Sequence, residues 1–590
     1  MTAKNRKMKT LEGIGVSSGV AISPAYVVKR NEPIVTKRHL MPDEIEAEKK
    51  RFLEAVQLTR EQLTRTQNII SKNMGAEQAH LIEAQIMLLS DKTIIDETLS
   101  QIESEAYNAS YAFSQVIDVF LEHSEKMDNE FFKERLQEFR DIKRRVLSNI
   151  LGSNHDLLIH QNESKVLVID HLSPSETAQL FESNYKGLIC EFGGETSHIA
   201  IMAKTMEIPT VLGVEEATIK INPDEDVIVD GNDGVVYASP DPSTLEVNIE
   251  KIAMINQVSE MLIEELDEKA TTPDGKRFSV ASNIELPDEV RLMKKYHSEG
   301  IGLFRTELLY ITRKEFPSED LQYNIYRRVI QQCDGELVII RTFDIGGDKF
   351  SENFEHHLEP NPFLGWRAIR VGLDFPHVLS TQIRAILRAS NEGQCAIMFP
   401  MISNIDEVRE AIRMVAEAKE ELRKKDIDFD DDIQIGIMVE VPSVALMADR
   451  IARYVDFMSI GTNDLIQYTL AADRGNEKVS KWYQSYNPAV LHLIEMTIKA
   501  AHDAGIWVGM CGQMAGKTLA IPLLIGMGID ELSVNPSQIP LVRGLIRRIE
   551  YKKAKRITKK ALEFDSDKQV EKYLKNELSK ILPENLMRFI

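Results

Sequence analysis

The residues with the clearest chemical potential form one short run, Gly193-Gly194-Glu195-Thr196-Ser197-His198-Ile199-Ala200-Ile201-Met202-Ala203. A double glycine ends an apolar stretch, and the Thr-Ser pair is suited to cap the helix that follows. His198 then falls in the first helical turn, where free N–H groups and the positive end of the helix dipole favour an anion. A neutral imidazole is nucleophilic, and a phosphoryl group gained there would be stabilised by the helix end. Thr196 could hold the other ring nitrogen and fix the tautomer. A histidine in a first turn more often only caps its own helix; the Gly-Gly-x-Thr-Ser-His string is what turns the reading towards chemistry. A second set is spread over the C-terminal half. Arg305, Arg341, Glu440, Asn463-Asp464 and Cys511 end short apolar runs, and Arg367 and Arg474 lie in connecting loops. Such arginines clamp carboxylate and phosphate with two-pronged forks. Mg²⁺ takes one or two protein carboxylates and completes its shell with water and substrate oxygens, a demand that Glu440 and Asp464 meet. The set suits an anionic phosphorylated substrate bound with Mg²⁺. Cys511 could move a proton; an inert small apolar residue is the equal alternative at that position.

Three kinds of segment must position these residues. Residues 10–30 are Gly-rich and strand-like, and 155–240 alternate strands with helical stretches. Val166–Ile169 and Gly187–Cys190 read as strands, and Asp230-Gly231-Asn232-Asp233 as a hairpin turn. Ser173-Pro174-Ser175-Glu176 reads as a helix start. Between them, from Pro42 to about Gly152, Gly and Pro nearly vanish and apolar residues recur at helical spacing, as in Leu81–Leu89 and Phe131–Ile150. The expectation is an α/β domain of residues 1–30 and 153–240, interrupted by a helical bundle over 31–152. Residues 241–270 read as a linker helix. From 271 to 575 strand-then-helix units repeat, with candidate strands at 278–283, 301–305, 336–341, 396–400, 434–440, 457–461, 507–511 and 531–534. That predicts a (β/α)₈ barrel, whose active site lies at the C-terminal ends of its strands. Those ends carry Arg305, Arg341, Glu440 and Cys511.

Composition narrows the function classes. The 590-residue chain has 71 basic and 92 acidic residues, a net charge of −21. Nucleic acid needs basic surface, so this charge argues against it as the main partner; an acidic surface is compatible with steering a basic protein partner, and an ordinary acidic cytosolic protein fits equally well. The four cysteines, Cys190, Cys333, Cys395 and Cys511, are far apart and fit neither disulfides nor structural zinc. Lys4, Arg6, Lys7 and Lys9 are followed by no apolar run, so no signal peptide is expected. Leu519–Ile529 is too short to span a bilayer. No membrane insertion and a cytoplasmic location follow as expectations.

With these residues in view, the chain closely resembles Enzyme I of the bacterial sugar phosphotransferase system, from Gly13 to about Arg547. The strings Phe304–Tyr310, Arg341–Lys349, Asn361–Arg370, Gly436–Pro442, Gly461–Tyr468 and Gly509–Gly512 look like that family's phosphoenolpyruvate site. The resemblance implies phosphoenolpyruvate-dependent phosphorylation of His198 and transfer to the histidine-containing phosphocarrier protein, HPr. It implies that Arg305, Arg341, Arg367 and Arg474 grip phosphoenolpyruvate with Asn463 beside it. Glu440 and Asp464 would hold Mg²⁺, and Cys511 would protonate the enolate carbon. The bundle would dock HPr, the barrel would form a homodimer, and the histidine domain would swing between barrel and carrier.

Three positions depart from the family pattern. Glu195 stands where the family usually has Arg, and a carboxylate there would repel a phosphoryl group on His198 and slow its phosphorylation. Gln513 replaces a usual Glu beside Cys511, and Gln85 replaces a usual His on the bundle, a change that could alter carrier specificity. Glu195 and Gln513 support one alternative, a catalytically weakened regulatory binding protein of the same fold. Pyruvate phosphate dikinase and phosphoenolpyruvate synthase share the histidine domain and barrel, but they need an ATP-binding domain where this chain has helices. A nitrogen-regulatory Enzyme I would carry a sensory domain ahead of the first strand, where only a short segment stands.

Overall fold

The structure is a computed structural model that describes residues 8–17, 19–28, 35–74, 82, 85–125, 130–152, 164–172, 176, 180, 183–193, 198–311, 316–346, 359, 361–474, 476 and 478–587. It comprises two compact units, residues 1–255 and 256–590.

The first unit is built on an eight-stranded sheet of β1 (Lys9–Glu12), β2 (Ile14–Ser17), β3 (Val20–Val27), β4 (Val166–Ile169), β5 (Gly187–Cys190), β6 (Thr210–Leu212), β7 (Asp226–Asp230) and β8 (Val235–Ala238). Their order is β1-β8-β7-β3-β4-β5-β6-β2. β3 to β6 run parallel, and the flanking pairs are antiparallel. β4 and β5 are buried at every residue, as unbroken apolar runs covered on both faces must be. β3 and β4 are neighbours in register, with Ala25 opposite Val166. The chain between them leaves the sheet and forms helices α1 (Ile45–Met74), α2 (Lys92–Ser104), α3 (Ala109–Glu125) and α4 (Glu130–Leu151). Their apolar faces meet around Phe52, Leu63, Ile102, Phe113 and Val146, all buried. Asp91 caps α2 by accepting the Thr93 N–H at 2.8 Å. The residues 173–175 expected to open a helix lie outside the described residues. After β5 comes α5 (His198–Met206), and after β8 comes α6 (Pro242–Glu264).

The second unit is a closed parallel barrel of β9 (Ser279–Ile284), β10 (Ile301–Phe304), β11 (Val338–Arg341), β12 (Cys395–Phe399), β13 (Gln434–Val439), β14 (Phe457–Ile460), β15 (Trp507–Met510) and β16 (Glu531–Val534). Helices alternate with the strands, so the C-terminal unit is the (β/α)₈ barrel that the spacing predicts. Its lumen is filled by Leu303, Ile339, Ala396, Met398, Met438, Phe457 and Cys511. Phe457 stacks on Trp507 with ring centres 4.7 Å apart. Strand C-termini therefore open on one face, which is where the predicted chemistry stands. Among the described residues no helix is long and apolar enough to cross a membrane.

Candidate active site

In the first unit, the chain leaves β5 through Glu191 and Phe192 to Gly193, whose φ of 131° suits a glycine. α5 then begins at His198. His198 is thus the first residue of a helix that follows a strand of a parallel sheet, the placement expected of it. Gly194, Glu195, Thr196, Ser197 and the His198 side chain lie outside the described residues.

At the barrel mouth the arginines arrive already engaged. Arg305, just past β10, pairs with Glu285, just past β9. Arg341, the last residue of β11, donates to Glu307 at 2.8 Å and meets Asp344 at 3.2 Å. Arg367 grips Asp344 with two prongs, Nε at 3.0 Å and Nη2 at 2.8 Å, and its Nη1 reaches Tyr468 at 3.2 Å and Asp464 at 3.5 Å. Glu307 also accepts the Asp344 backbone N–H at 3.0 Å. Asp344 is thus shared between two arginines. Burial would raise its pKa, but Arg367 and Arg341 outweigh burial and hold it below the usual carboxylate range. Arg341 is buried, and its Nε has no hydrogen-bond partner among the described residues. A buried cation with an unused donor is an anion receptor in waiting. The backbone that presents Arg367 is strained: Ala368 has φ 55° and ψ −124°, where a side chain is disfavoured.

The carboxylates show the complementary imbalance. Glu440, just past β13, is 1% exposed and accepts the Met401 backbone N–H at 2.6 Å. Burial, then the nearby Asp464 and Asp344 carboxylates, push its pKa up to about 8. Asp464 is buried in the first turn of α7 (Thr462–Leu470). Two acids crowded into a dry site carry an excess of negative potential that a divalent cation would neutralise, and two carboxylates are what Mg²⁺ takes from a protein. Asn463 is fixed at both ends: its Oδ1 accepts the Gln513 N–H at 3.0 Å, and its carbonyl accepts the Tyr483 hydroxyl at 3.1 Å. Cys511 follows β15, is 2% exposed, and burial pushes its thiol up to about 11. It is therefore a thiol and not a thiolate at neutral pH.

The structure brings Arg305, Arg341, Arg367, Glu440, Asn463, Asp464 and Cys511 to the strand ends of one mouth. Arg474 is tied in through its backbone N–H, which donates to Gln467 Oε1 at 3.1 Å, and its side chain is exposed. Lys349, in the same string as Arg341, lies outside the described residues. Gln85 is fully buried in the bundle, so it cannot itself touch a docked protein. Glu307 and Asp344 lay inside strings singled out for their arginines, and their position directly after strand ends was the available signal. Glu285 and Met401 carry the same signal, standing just past β9 and β12, and Tyr468 closes the string Gly461–Tyr468; what sequence does not give is their partners, Arg305, Glu440 and Arg367.

This arrangement agrees with what the chain is similar to. Residues 12–135, 161–234 and 260–551 match three families described as PEP-utilising enzyme, N-terminal; PEP-utilising enzyme, mobile domain; and PEP-utilising enzyme, PEP-binding domain. A phosphoenolpyruvate-protein phosphotransferase of Bacillus sp. (strain S) is 41% identical over 97% of this chain and 98% of its own. That of Bacillus subtilis (strain 168) is 41% identical over 96% and 99%, and that of Mycoplasma capricolum subsp. capricolum is 39% identical over 97% and 100%. With relatives about 40% identical over 96–97% of its length, this chain belongs to the phosphoenolpyruvate-protein phosphotransferase family.

Proposed function

We propose that this chain takes the phosphoryl group of phosphoenolpyruvate onto His198 and passes it to a phosphocarrier protein of the HPr kind, the first step of a sugar phosphotransferase system. The observation that carries the reading is Arg341: a buried guanidinium at a barrel mouth, flanked by Arg305 and Arg367, with an orphaned Nε donor. Phosphoenolpyruvate has the phosphate and carboxylate such a set demands. Arg305, Arg341, Arg367 and Arg474 bind those groups, with Asn463 beside them. Glu440 and Asp464 would hold Mg²⁺, which would supply charge neutralisation to the substrate phosphate. A neutral ring nitrogen of His198 forms the N–P bond as the bridging P–O bond breaks, releasing the enolate of pyruvate. The arginines spread the charge that develops, which is most of what a protein can do for phosphoryl transfer. Cys511 gives its S–H proton to the enolate methylene carbon, a C–H bond forms, and the thiolate recovers a proton from water. A thiol with a pKa near 11 is protonated when the basic enolate appears. A carrier histidine then attacks the phosphorus of phospho-His198, exchanging one N–P bond for another.

In this reading residues 1–30 with 153–240 form the phosphohistidine domain, 31–152 dock the carrier, 241–270 link, and 271–575 bind phosphoenolpyruvate and form a homodimer. The protein works in the cytoplasm. The test is the intact mass of the purified protein after incubation with phosphoenolpyruvate and Mg²⁺. One acid-labile phosphoryl adduct is expected, absent from His198→Ala. No adduct at any Mg²⁺ concentration or time would overturn the reading in favour of a regulatory binding protein.

A further inference from the structure

Asn283 lies on β9, and its amide spans the seam where the barrel closes. Its Nδ2 donates to the Cys511 carbonyl at 3.0 Å and to the Ser533 carbonyl at 3.2 Å, and its Oδ1 accepts the Ser533 hydroxyl at 2.7 Å. An amide has two donors and one acceptor group, and all are used. Three strands are joined in this way: β9, β16 and the end of β15. The place matters because the β15–β16 ladder pairs Gly509 with Glu531 and Met510 with Leu532, one residue short of Cys511. Beyond that pair, the Cys511 carbonyl is held by Asn283, and its N–H donates to Ile460 of β14 at 3.2 Å. The next residue leaves no slack. A Cβ on Gly512 would sit 2.0 Å from Thr462 Oγ1 and 2.5 Å from the Thr462 backbone nitrogen. With both of its peptide groups held and its neighbour wedged, Cys511 has one direction left for its Cα–Cβ bond.

We infer that Asn283, anchored by Ser533, is a positioning residue for the Cys511 thiol in the proton step. The inference rests on the proposed role of Cys511. Proton transfer needs the donor within hydrogen-bond reach of the carbon it protonates, and a displacement of roughly 1 Å in such a group costs up to about 10²-fold in rate. The side-chain partners of Asn283 are Cys511 and Ser533 and none of the mouth arginines, so the effect is expected on the carbon–hydrogen step.

That step is visible in isolation as exchange of the pyruvate methyl hydrogens with D₂O in the presence of the full-length protein and Mg²⁺, followed by proton NMR. Each exchange event begins with the Cys511 thiol giving its proton to hydroxide; the thiolate then removes a methyl proton, and the thiol so formed, after exchanging with D₂O, returns a deuteron to the same carbon. Cys511→Ala is expected to abolish the exchange. Asn283→Ala is expected to lower the exchange rate at saturating pyruvate about 10- to 100-fold, while the half-saturating pyruvate concentration stays within about twofold. Ser533→Ala keeps both Asn283 donors, frees the Oδ1 anchor, and is expected to give a loss of several-fold; it carries the test should Asn283→Ala not fold. Full exchange in the Asn283 and Ser533 variants, with none in Cys511→Ala, would overturn the positioning role and leave the proton-donor role standing. Full exchange in Cys511→Ala would instead overturn the proton-donor role on which it rests. A loss confined to the half-saturating concentration would make Asn283 a pyruvate-binding group and also sink the inference.

Discussion

At the scale of single residues, the buried polar groups divide by whether they have partners. Arg305, Arg341 and Arg367 each pair with a carboxylate, so these guanidiniums are oriented, and of the three only Arg341 retains a buried donor without a partner among the described residues. Gln85 presents the opposite case. It sits at 0% exposure in the bundle, and neither Nε2 nor Oε1 has a hydrogen-bond partner among the described residues. Burying an unpaired amide costs about 1–3 kcal/mol, whereas an apolar chain of the same length costs nothing of the kind. Gln85→Met keeps the length and flexibility of the side chain. The expected outcome is a gain of about 1–2 kcal/mol in unfolding free energy, read from the urea midpoint at unchanged slope. Unchanged or lower stability would show that the amide is paired in solution. Because Gln85 is interior, any effect it has on the proposed carrier must pass through the packing of the bundle.

At the scale of elements, the barrel carries a carboxyl group that its strands had to make room for. Glu531 opens β16 and points among glycines of neighbouring strands: a Cβ on Gly302 would lie 2.4 Å from Glu531 Oε1, and one on Gly509 3.3 Å from it. Burial, then Glu299 and Asp530, raise its pKa from 4.5 to about 7. The folded protein keeps a proton that the unfolded chain has already lost, so stability falls as pH rises from 4.5 to about 7 and stays reduced above. At 1.36 kcal/mol per pKa unit, Glu531→Gln should stabilise the barrel by about 3 kcal/mol at pH 8 and by under about 1 kcal/mol at pH 5. Urea unfolding at the two pH values measures it, and a pH-independent difference would refute the assignment. The same elements show what sequence can convey. Strand positions were legible because a parallel barrel strand is a short apolar run between loops, and chemistry at strand ends then named Arg305, Arg341, Glu440 and Cys511 by position. Asn283 was not legible: in sequence it is one polar residue in a strand, and its meaning comes from Cys511 and Ser533, more than two hundred residues away.

At the scale of the whole molecule, the proposed reaction divides between two folded units. His198 belongs to the first and the arginine mouth to the second, and α6 runs from one into the other. Its N-terminal half is tied to the first unit by Lys251, which meets Asp230 at 2.5 Å and Asp233 at 3.1 Å. Its C-terminal half contributes Val258 and Leu262 to the barrel core, and just beyond it Glu265 pairs with Arg547 at 3.1 Å and Arg548 at 2.9 Å. A chain so divided should have separable partial reactions. In the proposed reaction, phosphoenolpyruvate-driven phosphorylation would need both units, whereas back-transfer from a phosphorylated carrier to His198 would need the first alone. Arg341→Ala removes the buried cation proposed to receive the substrate anion, and truncating one member of such a charged pair costs several kcal/mol. It is expected to slow phosphoenolpyruvate-driven phosphorylation by about 10³-fold or more, since each 1.36 kcal/mol is a factor of ten. Back-transfer from phosphorylated carrier should stay within about twofold of the unaltered chain, because no part of the barrel mouth takes part in it. His198→Ala should lose both. Quenched-flow labelling of the protein from each donor measures the two rates. Equal loss of both in Arg341→Ala would mean that the barrel mouth governs the state of the histidine domain as well as supplying its phosphoryl group.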